Sequence, residues 1–398
     1  MITVKEATAI VLANARDFGT VNVSLHDAIG QILREDIVAD RDFPPYDRVT
    51  MDGIAIAHQA FENGKRSFPI QEVAAAGSPQ KKLADMDSCF EVMTGAILPQ
   101  GTDTVIRYED IETKDGLAHL QIEHIQAQQN VHHQGSDRSK DTVIVKAGKR
   151  ISPAEIGIAA TVGKARLDVS RLPKTMIIST GDELVEIEET PLPHQIRRSN
   201  VHRLKTTLMQ FGVKADTAHL QDDWEEILEK LKDILNNYEL ILLSGGVSKG
   251  KFDFLPKALE ELGVQKHFHK IQQRPGKPIW FGTAPSGATI FALPGNPVSS
   301  FMCMQRYLLP WLKKSLGTSN EVVVHAILNQ EVTFKPNLTY FLQVRIHSDE
   351  EGRLLATPVE GNGSGDLANL TDADGFLELK QGKDIYEVGE VYRFWSFR

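Results

Sequence analysis

The chain has little cysteine, no long apolar run and no surplus of positive charge. Cys89 and Cys303 are the two cysteines in 398 residues and form no CxxC pair. That excludes a zinc–thiolate site and points to a reducing compartment, so a cytoplasmic protein is expected. No apolar stretch approaches the ~20 residues of a membrane span. The start, Met1-Ile2-Thr3-Val4-Lys5-Glu6, lacks a basic region followed by an apolar core, so no signal peptide is expected. A net charge of −9 argues against a nucleic-acid or membrane-surface binder. An anionic ligand would therefore need a local basic patch or a bound cation. HExxH is absent and cysteines are few, so His132-His133 and the pair His267/His269 read as loop and strand-surface residues rather than metal ligands. There is no 20–50-residue repeat and no low-complexity tract.

What is present is a set of three glycine- or proline-rich turns, each following a short apolar run. They are Ser179-Thr180-Gly181-Asp182-Glu183-Leu184, Ser244-Gly245-Gly246-Val247-Ser248-Lys249-Gly250 and Leu293-Pro294-Gly295-Asn296-Pro297. Leu240-Ile241-Leu242-Leu243 shows no polar alternation, as in a parallel strand buried on both faces. Open α/β sheets bind ligands at the carboxyl ends of such strands. The turns offer backbone amides, hydroxyls, carboxylates and lysines, a set suited to a phosphate-bearing molecule.

At 398 residues, two to four domains are expected. Thr3-x-x-Glu6 is a capping box opening a helix through Ala15. A second short helix is expected over Leu25–Leu33. Phe43-Pro44-Pro45-Tyr46 stops regular structure. Cys89–Met93, Thr104–Ile106 and Leu120–Ile122 read as strands of a small β domain over 49–135. Ser152-Pro153-Ala154-Glu155 is a second capping box. Its helix is expected to pack back on the first, so that 1–48 and 136–173 form one discontinuous domain. Over 174–317 strands and helices alternate, predicting a doubly wound α/β domain. Trp224, Ile227, Leu228, Leu231, Ile234 and Leu235 make one apolar helix stripe, capped by Asp222 or Asp223. Asn296 with Pro297 opens a further helix. Val322–Val324, Tyr340–Arg345 and Val391–Trp395 predict a small closed β domain over 318–398.

Gly245 to Phe252 nearly matches a Walker A loop, but phenylalanine stands where the Mg²⁺-binding hydroxyl belongs, which rejects a P-loop NTPase. The glycines still let backbone approach a phosphate, and Ser248, Lys249, Lys251 and Asp253 favour a ligand over an empty turn. Asp182, Glu183, Asp222 and Asp253 fall at strand ends or helix starts of one domain. Carboxylates with substrate phosphates are the usual Mg²⁺ arrangement; for Asp222 and Asp223 capping explains them as well, and for Asp182 and Glu183 a turn preference competes. Lys270, Arg274 and Lys277 surround Arg274-Pro275-Gly276-Lys277-Pro278, where they could present cations to an oxyanion or lie as solvated surface charge. Gly361-Asn362-Gly363-Ser364-Gly365 lacks strand–helix context and reads as a hairpin or rim loop.

Six stretches in order carry a resemblance: Pro44-Pro45-Tyr46-Asp47 with Met51-Asp52-Gly53; Met93-Thr94-Gly95-Ala96 with Pro99-x-Gly101-x-Asp103; Thr180-Gly181-Asp182-Glu183-Leu184; Ser244-Gly245-Gly246-Val247-Ser248; Pro275-Gly276-Lys277-Pro278; and Leu293-Pro294-Gly295-Asn296-Pro297. Together they resemble the molybdopterin molybdenumtransferases, the MoeA family that includes the gephyrin E domain. The resemblance implies a four-domain homodimer with a shared cleft. The implied reaction is Mg²⁺-assisted insertion of molybdate into adenylated molybdopterin with release of AMP, the adenylyltransferase acting upstream as a partner. Carried over, the functional positions are Asp52, Thr94, Asp137, Glu183, Asp222 or Asp223, Asp253, Lys270, Arg274, Pro294 and Pro297. Asp52, Thr94, Glu183 and Asp253 are the catalytic candidates. Glu183 and Asp253 would hold Mg²⁺, and Gly245, Gly246 and Ser248 would cradle the pterin's terminal phosphate. Lys270 and Arg274 would gather molybdate, while Asp137, Asp182, Asp222, Lys277, Pro294 and Pro297 would line the substrate. The chain departs from the family pattern at His132-His133, Ser136, Arg198, Lys249, Lys251 and Arg274, which makes the cleft rim more positive. Two other readings share features: a molybdopterin adenylyltransferase, which needs no Met51-Asp52-Gly53 domain, and a gephyrin-like scaffold.

Overall fold

A computed structural model describes residues 1–221, 223–246, 254–318, 322–361, 363 and 365–398. The chain divides into two compact units: Met1–Glu35, Ala147–Pro153 and Arg166–Arg398 form the first, and Asp36–Lys146 with Ala154–Ala165 form the second.

The first unit is built on a six-stranded sheet. Its strands are β1 (Thr175–Thr180), β2 (Ala215–Leu220), β3 (Leu240–Ser244), β4 (Gln265–His269), β5 (Trp280–Thr283) and β6 (Thr289–Leu293), in spatial order 2-1-3-6-5-4. β1, β2, β3 and β6 run parallel, while β5 and β4 add an antiparallel edge. Every residue of β1, β3 and β6 is buried. The strand period of two sends Ile177, Leu242 and Phe291 to one core and Ile178, Leu243 and Ile290 to the other. The first face is covered by helices Ser199–Met209, Pro297–Cys303 and Leu309–Ser315, the second by Trp224–Asn237 and Leu255–Glu261. This is the doubly wound arrangement that the unalternating apolar runs imply.

The helix stripes do the holding. Ile227, Leu231, Ile234 and Leu235 are buried. Each such side chain contributes about 1.5–3 kcal/mol over its exposed state, several times the spread of helix propensities. Asp223 caps this helix, its Oδ1 accepting the Glu226 N–H at 2.8 Å, whereas Asp222 lies outside the described residues. The first helix, Val4–Ala13, starts with the expected Thr3–Glu6 box. It packs on this same core through Val4, Ala7 and Val11, and Trp311 Nε1–H donates to Asn14 O at 2.9 Å. The helix Pro153–Thr161, read as its packing partner, falls almost wholly in the second unit.

The expected helix over Leu25–Leu33 is only a 3₁₀ turn, His26–Ala28. Gly30 takes the left-handed region at φ 76°, and the Gly30 and Leu33 N–H groups donate to Ile151 and Lys149 carbonyls instead of up a helix.

The C-terminal part of this unit is a closed five-stranded barrel. Thr339–Ser348 pairs with Leu354–Pro358 and with Gly375–Leu379; Val324–Leu328 pairs with Leu354–Pro358 and with Val391–Ser396; and Val391–Ser396 returns to Gly375–Leu379. Closure removes exposed sheet edges. Gln273–Arg274 joins as an outlying parallel pair beside Thr339–Tyr340. The strand foreseen at Val322–Val324 begins only at Val324.

The second unit carries a six-stranded sheet in the order Thr104–Arg107, Gly53–Ile56, Cys89–Val92, Ser67–Ala74, Leu117–Leu120, Ile111–Lys114. The strand expected at Leu120–Ile122 lies three residues earlier. Asp115-Gly116, at φ 52° and 77°, makes a tight hairpin turn that fixes the register of the last two strands.

Candidate active site

β1 and β3 are neighbours whose crossovers leave in opposite directions, to β2 and toward β6. A cleft opens at their carboxyl ends, the place an order beginning 2-1-3 dictates. Its volume is about 500 Å³, and its walls come from Ser179–Gly181, Glu183, Leu184, Ile196–Val201, Ser244–Gly246 and Pro294–Pro297, with Asp182 off the wall. Gly245, Gly246, Glu183, Pro294 and Pro297 therefore meet in one cavity, as the turns suggest.

Glycine is required at Gly246. Its φ is 66°, and a Cβ would come within 2.7 Å of Leu255 Cδ1 and 2.9 Å of Thr180 Oγ1. Nothing larger lets the turn stay close to β1. Glu183 is exposed and curls back over Gly181, where a Cβ would meet its Oε2 at 2.5 Å. Asp182 is exposed in the same turn.

Several residues of the cleft carry no local sequence signal. Asn200 Nδ2 donates to Ser244 Oγ at 3.1 Å and to Gly295 O at 2.7 Å, tying the β3 end to the Pro294–Pro297 turn. Arg203 stands behind it. Its Nη2 donates to Asn200 Oδ1 and Pro297 O, both at 2.7 Å, and to Ser300 Oγ at 3.1 Å. Burial pushes this guanidinium down to about 10. Ser179 Oγ lies 3.0 Å from His219 Nδ1 and accepts from Arg198 Nη1 at 3.2 Å. Only Asn200 has a clue in the sequence, as Ser199-Asn200 opens the amphipathic helix Ser199–Met209.

A second cavity of about 490 Å³ shares Pro278, Pro294 and Asn296 with the first. Arg274 and Lys277 line it, together with Ser299, Tyr340, Gln343, Gly361 and Gly363. Gly361 and Gly363 thus lie on a cavity wall, as a rim loop would. Gly276 (φ 83°) lets the turn press on Cys303, whose Sγ an added Cβ would meet at 2.5 Å. Burial raises the Tyr340 hydroxyl against the opposing charge of Arg274, so it stays a neutral donor. Lys270 lines neither cavity. It sits at φ 74°, its N–H donating to Ile279 O and its carbonyl accepting from Ile2 N–H, so its backbone ties the first residues to the strand end.

Asp52, Thr94 and Asp137 belong to the second unit. Asp52 Oδ1 accepts the Thr94 N–H at 2.6 Å and the Thr94 hydroxyl at 2.7 Å, and these bonds hold its carboxyl below the usual carboxylate range. Gly53 positions this pair by allowing the chain to pass under Ile106 O. Asp137 Oδ1 lies 2.9 Å from His132 Nε2, and His132 Nδ1 lies 3.1 Å from Arg48 Nη2.

Ser248 and Asp253, like Asp222, lie outside the described residues. Among the described residues no group of three or more His, Cys, Asp or Glu side chains could hold a metal. Among the described residues Glu183 is the single carboxylate lining the cleft, and no cation pairs with it. It suits only an ion that takes its other ligands from elsewhere, substrate phosphates included, as Mg²⁺ does. No helix of the described residues is long and apolar enough to cross a membrane.

Comparison with known proteins covers most of the chain. Residues 2–163 match the MoeA N-terminal region (domain I and II), 176–314 a probable molybdopterin binding domain, and 325–397 the MoeA C-terminal region (domain IV). A molybdopterin molybdenumtransferase of Synechocystis sp. is 39% identical over 404 residues, covering all of both chains. One from Bacillus subtilis is 31% identical over 409 residues, covering 100% of this chain and 94% of its own. The crystal structure of a molybdopterin biosynthesis MoeA protein from Pyrococcus horikoshii superposes at a TM-score of 0.85 with 26% identity, covering 100% of each chain.

Proposed function

This chain belongs to the MoeA family, and from that membership we propose that it is a molybdopterin molybdenumtransferase, inserting molybdate into adenylated molybdopterin and releasing AMP. The observation that carries the reading is the pair of adjoining cavities in the first unit. One offers glycine turns, hydroxyls and a guanidinium suited to phosphate. The other offers Arg274 and Lys277 to a compact oxyanion. Substrate and molybdate repel each other, so a protein that joins them must neutralise both at short range.

In this reading the phosphate groups lie along Gly245, Gly246 and the start of helix Ser199–Met209. Asn200 and Arg203 fix the turn Pro294–Pro297 that separates the two anions. Arg274 and Lys277 draw molybdate to the dithiolene side, and Tyr340 donates a hydrogen bond there. Bringing the sulfurs and molybdenum together removes most of the barrier that proximity can remove. Mg²⁺, held by Glu183 and Asp253 with the substrate phosphates, would offset charge on departing AMP.

The reading extends to a homodimer in which Asp52, Thr94 and Asp137 of one protomer serve the cleft of its partner. Mixed dimers of Asp52→Asn and Glu183→Gln chains should then recover part of the activity that each homodimer lacks. The direct test supplies adenylated molybdopterin, molybdate and Mg²⁺ and follows nucleotide by chromatography. AMP should appear only when molybdate is present; ATP consumption with unadenylated molybdopterin would point instead to an adenylyltransferase.

A further inference from the structure

Helix Ser199–Met209 begins on the cleft wall without a side-chain cap: its N-cap residue is Arg198, which makes no capping hydrogen bond. An uncapped start leaves N–H groups unpaired and carries partial positive charge. An arginine at that place adds to the same sign, the reverse of the usual preference for an acid or hydroxyl.

The Arg198 side chain is also buried, with 10% exposure, yet among the described residues its Nε–H has no partner. Its Nη1 donates to Ser179 Oγ at 3.2 Å and its Nη2 pairs with Glu186. Glu186 is half exposed at 49% and held below the usual carboxylate range by Arg198. A buried N–H without an acceptor is costly, and such groups call for an explanation at a site. One guanidinium, one unpaired buried donor and one uncapped helix start converge on the cavity that holds Gly245 and Gly246.

The geometry points to a phosphoanion subsite at Arg198 and the helix start, at which the ligand takes Arg198 over from Glu186. This rests on the proposed reading and specifies it: the first cleft takes a phosphate monoester or diphosphate through a planar fork plus backbone amides. Glu186 is then a stand-in that keeps the guanidinium neutralised until the ligand arrives.

The test needs neither molybdenum nor the pterin. Binding of inorganic pyrophosphate to the full-length protein is measured by calorimetry at fixed low salt, for the parent chain, Arg198→Met and Glu186→Gln. Arg198→Met should weaken binding about tenfold or more, the size of one charge-assisted hydrogen bond. Glu186→Gln removes the competitor and should strengthen binding severalfold. Unchanged affinity in Arg198→Met overturns the subsite, as does unchanged or weaker binding in Glu186→Gln. Should Arg198→Met fail to fold, the sign of the Glu186→Gln change decides alone. Failure of the reaction reads differently: a parent chain that releases no AMP but binds pyrophosphate through Arg198 keeps the subsite and loses the reaction.

Discussion

Replacing Gly53 by alanine tests the placement of Asp52 most sharply. Gly53 lies on the strand between Cys89–Val92 and Thr104–Arg107, paired with Val92 on one side and Arg107 on the other. Its φ is 156°, and a Cβ would sit 1.9 Å from Ile106 O and 2.9 Å from Arg107 Cα. Both obstacles are backbone, so no side chain can swing away. The strands must part by more than 1 Å, beyond what ladder hydrogen bonds tolerate. Two or three such bonds at about 0.5–1.5 kcal/mol each, plus about 1–3 kcal/mol of packing strain, give a loss of roughly 2–7 kcal/mol. Gly64 supplies the control. It belongs to the same unit, has φ 95°, and has nothing within 4 Å of an added Cβ. Gly64→Ala should cost only the left-handed strain of about 1–2 kcal/mol. The four tryptophans, Trp224, Trp280, Trp311 and Trp395, all lie in the first unit, so their fluorescence is a poor reporter. Calorimetry, with hydrogen exchange at the amides of Gly53–Ile56, reads the right place. If Gly53→Ala melts and exchanges like Gly64→Ala, the clash argument is wrong.

Arg274→Ala should raise the molybdate concentration needed for half-maximal AMP release about 10–100-fold, with a smaller effect on the half-saturating pterin concentration, as steady-state titration of each substrate will show. Asp253→Asn should slow AMP release strongly while the circular dichroism spectrum and melting temperature stay put; undiminished turnover removes Asp253 from the mechanism. Asp52, whose folded-state carboxyl is lowered by the Thr94 bonds, contributes stability above the ordinary carboxylate value and loses it as pH falls through its own lowered value. Melting of Asp52→Asn should therefore depend less on acid pH than melting of the parent, and equal slopes would show that the Thr94 bonds do not matter to folding.

Where the sequence was readable, one physical cause ruled a whole segment. Leu240–Leu243 could only be a strand buried on both faces, and the stripe from Trp224 to Leu235 could only be a helix lying on that sheet. The turns at Gly181, Gly245 and Pro294 converge because parallel strands put their carboxyl ends on one edge. Local pattern failed where long-range contacts decide. The apolar residues of Leu25–Leu33 look helical, but the carbonyls of Lys149 and Ile151, over a hundred residues away, claim the N–H groups that a helix would need. Lys270 resembles Arg274 and Lys277 in charge and spacing, yet its left-handed backbone sets it outside the cavity they line. Tyr340 and Gln343 reach that cavity from a barrel strand whose alternation gives no hint of what lies beyond its end. The domain limits drawn at 48, 135 and 173 rest on where the local pattern changes between helix-like, strand-like and alternating segments.

The short parallel pairing of Gln273–Arg274 with Thr339–Tyr340 makes one arginine answer to two structures. Its backbone is registered against the barrel, while the same residue lines the cavity proposed for the oxyanion. Thermodynamic linkage then runs both ways. Saturating oxyanion should delay barrel melting in a concentration-dependent manner, and a loosening substitution deep in the barrel should weaken oxyanion affinity without touching a single cation.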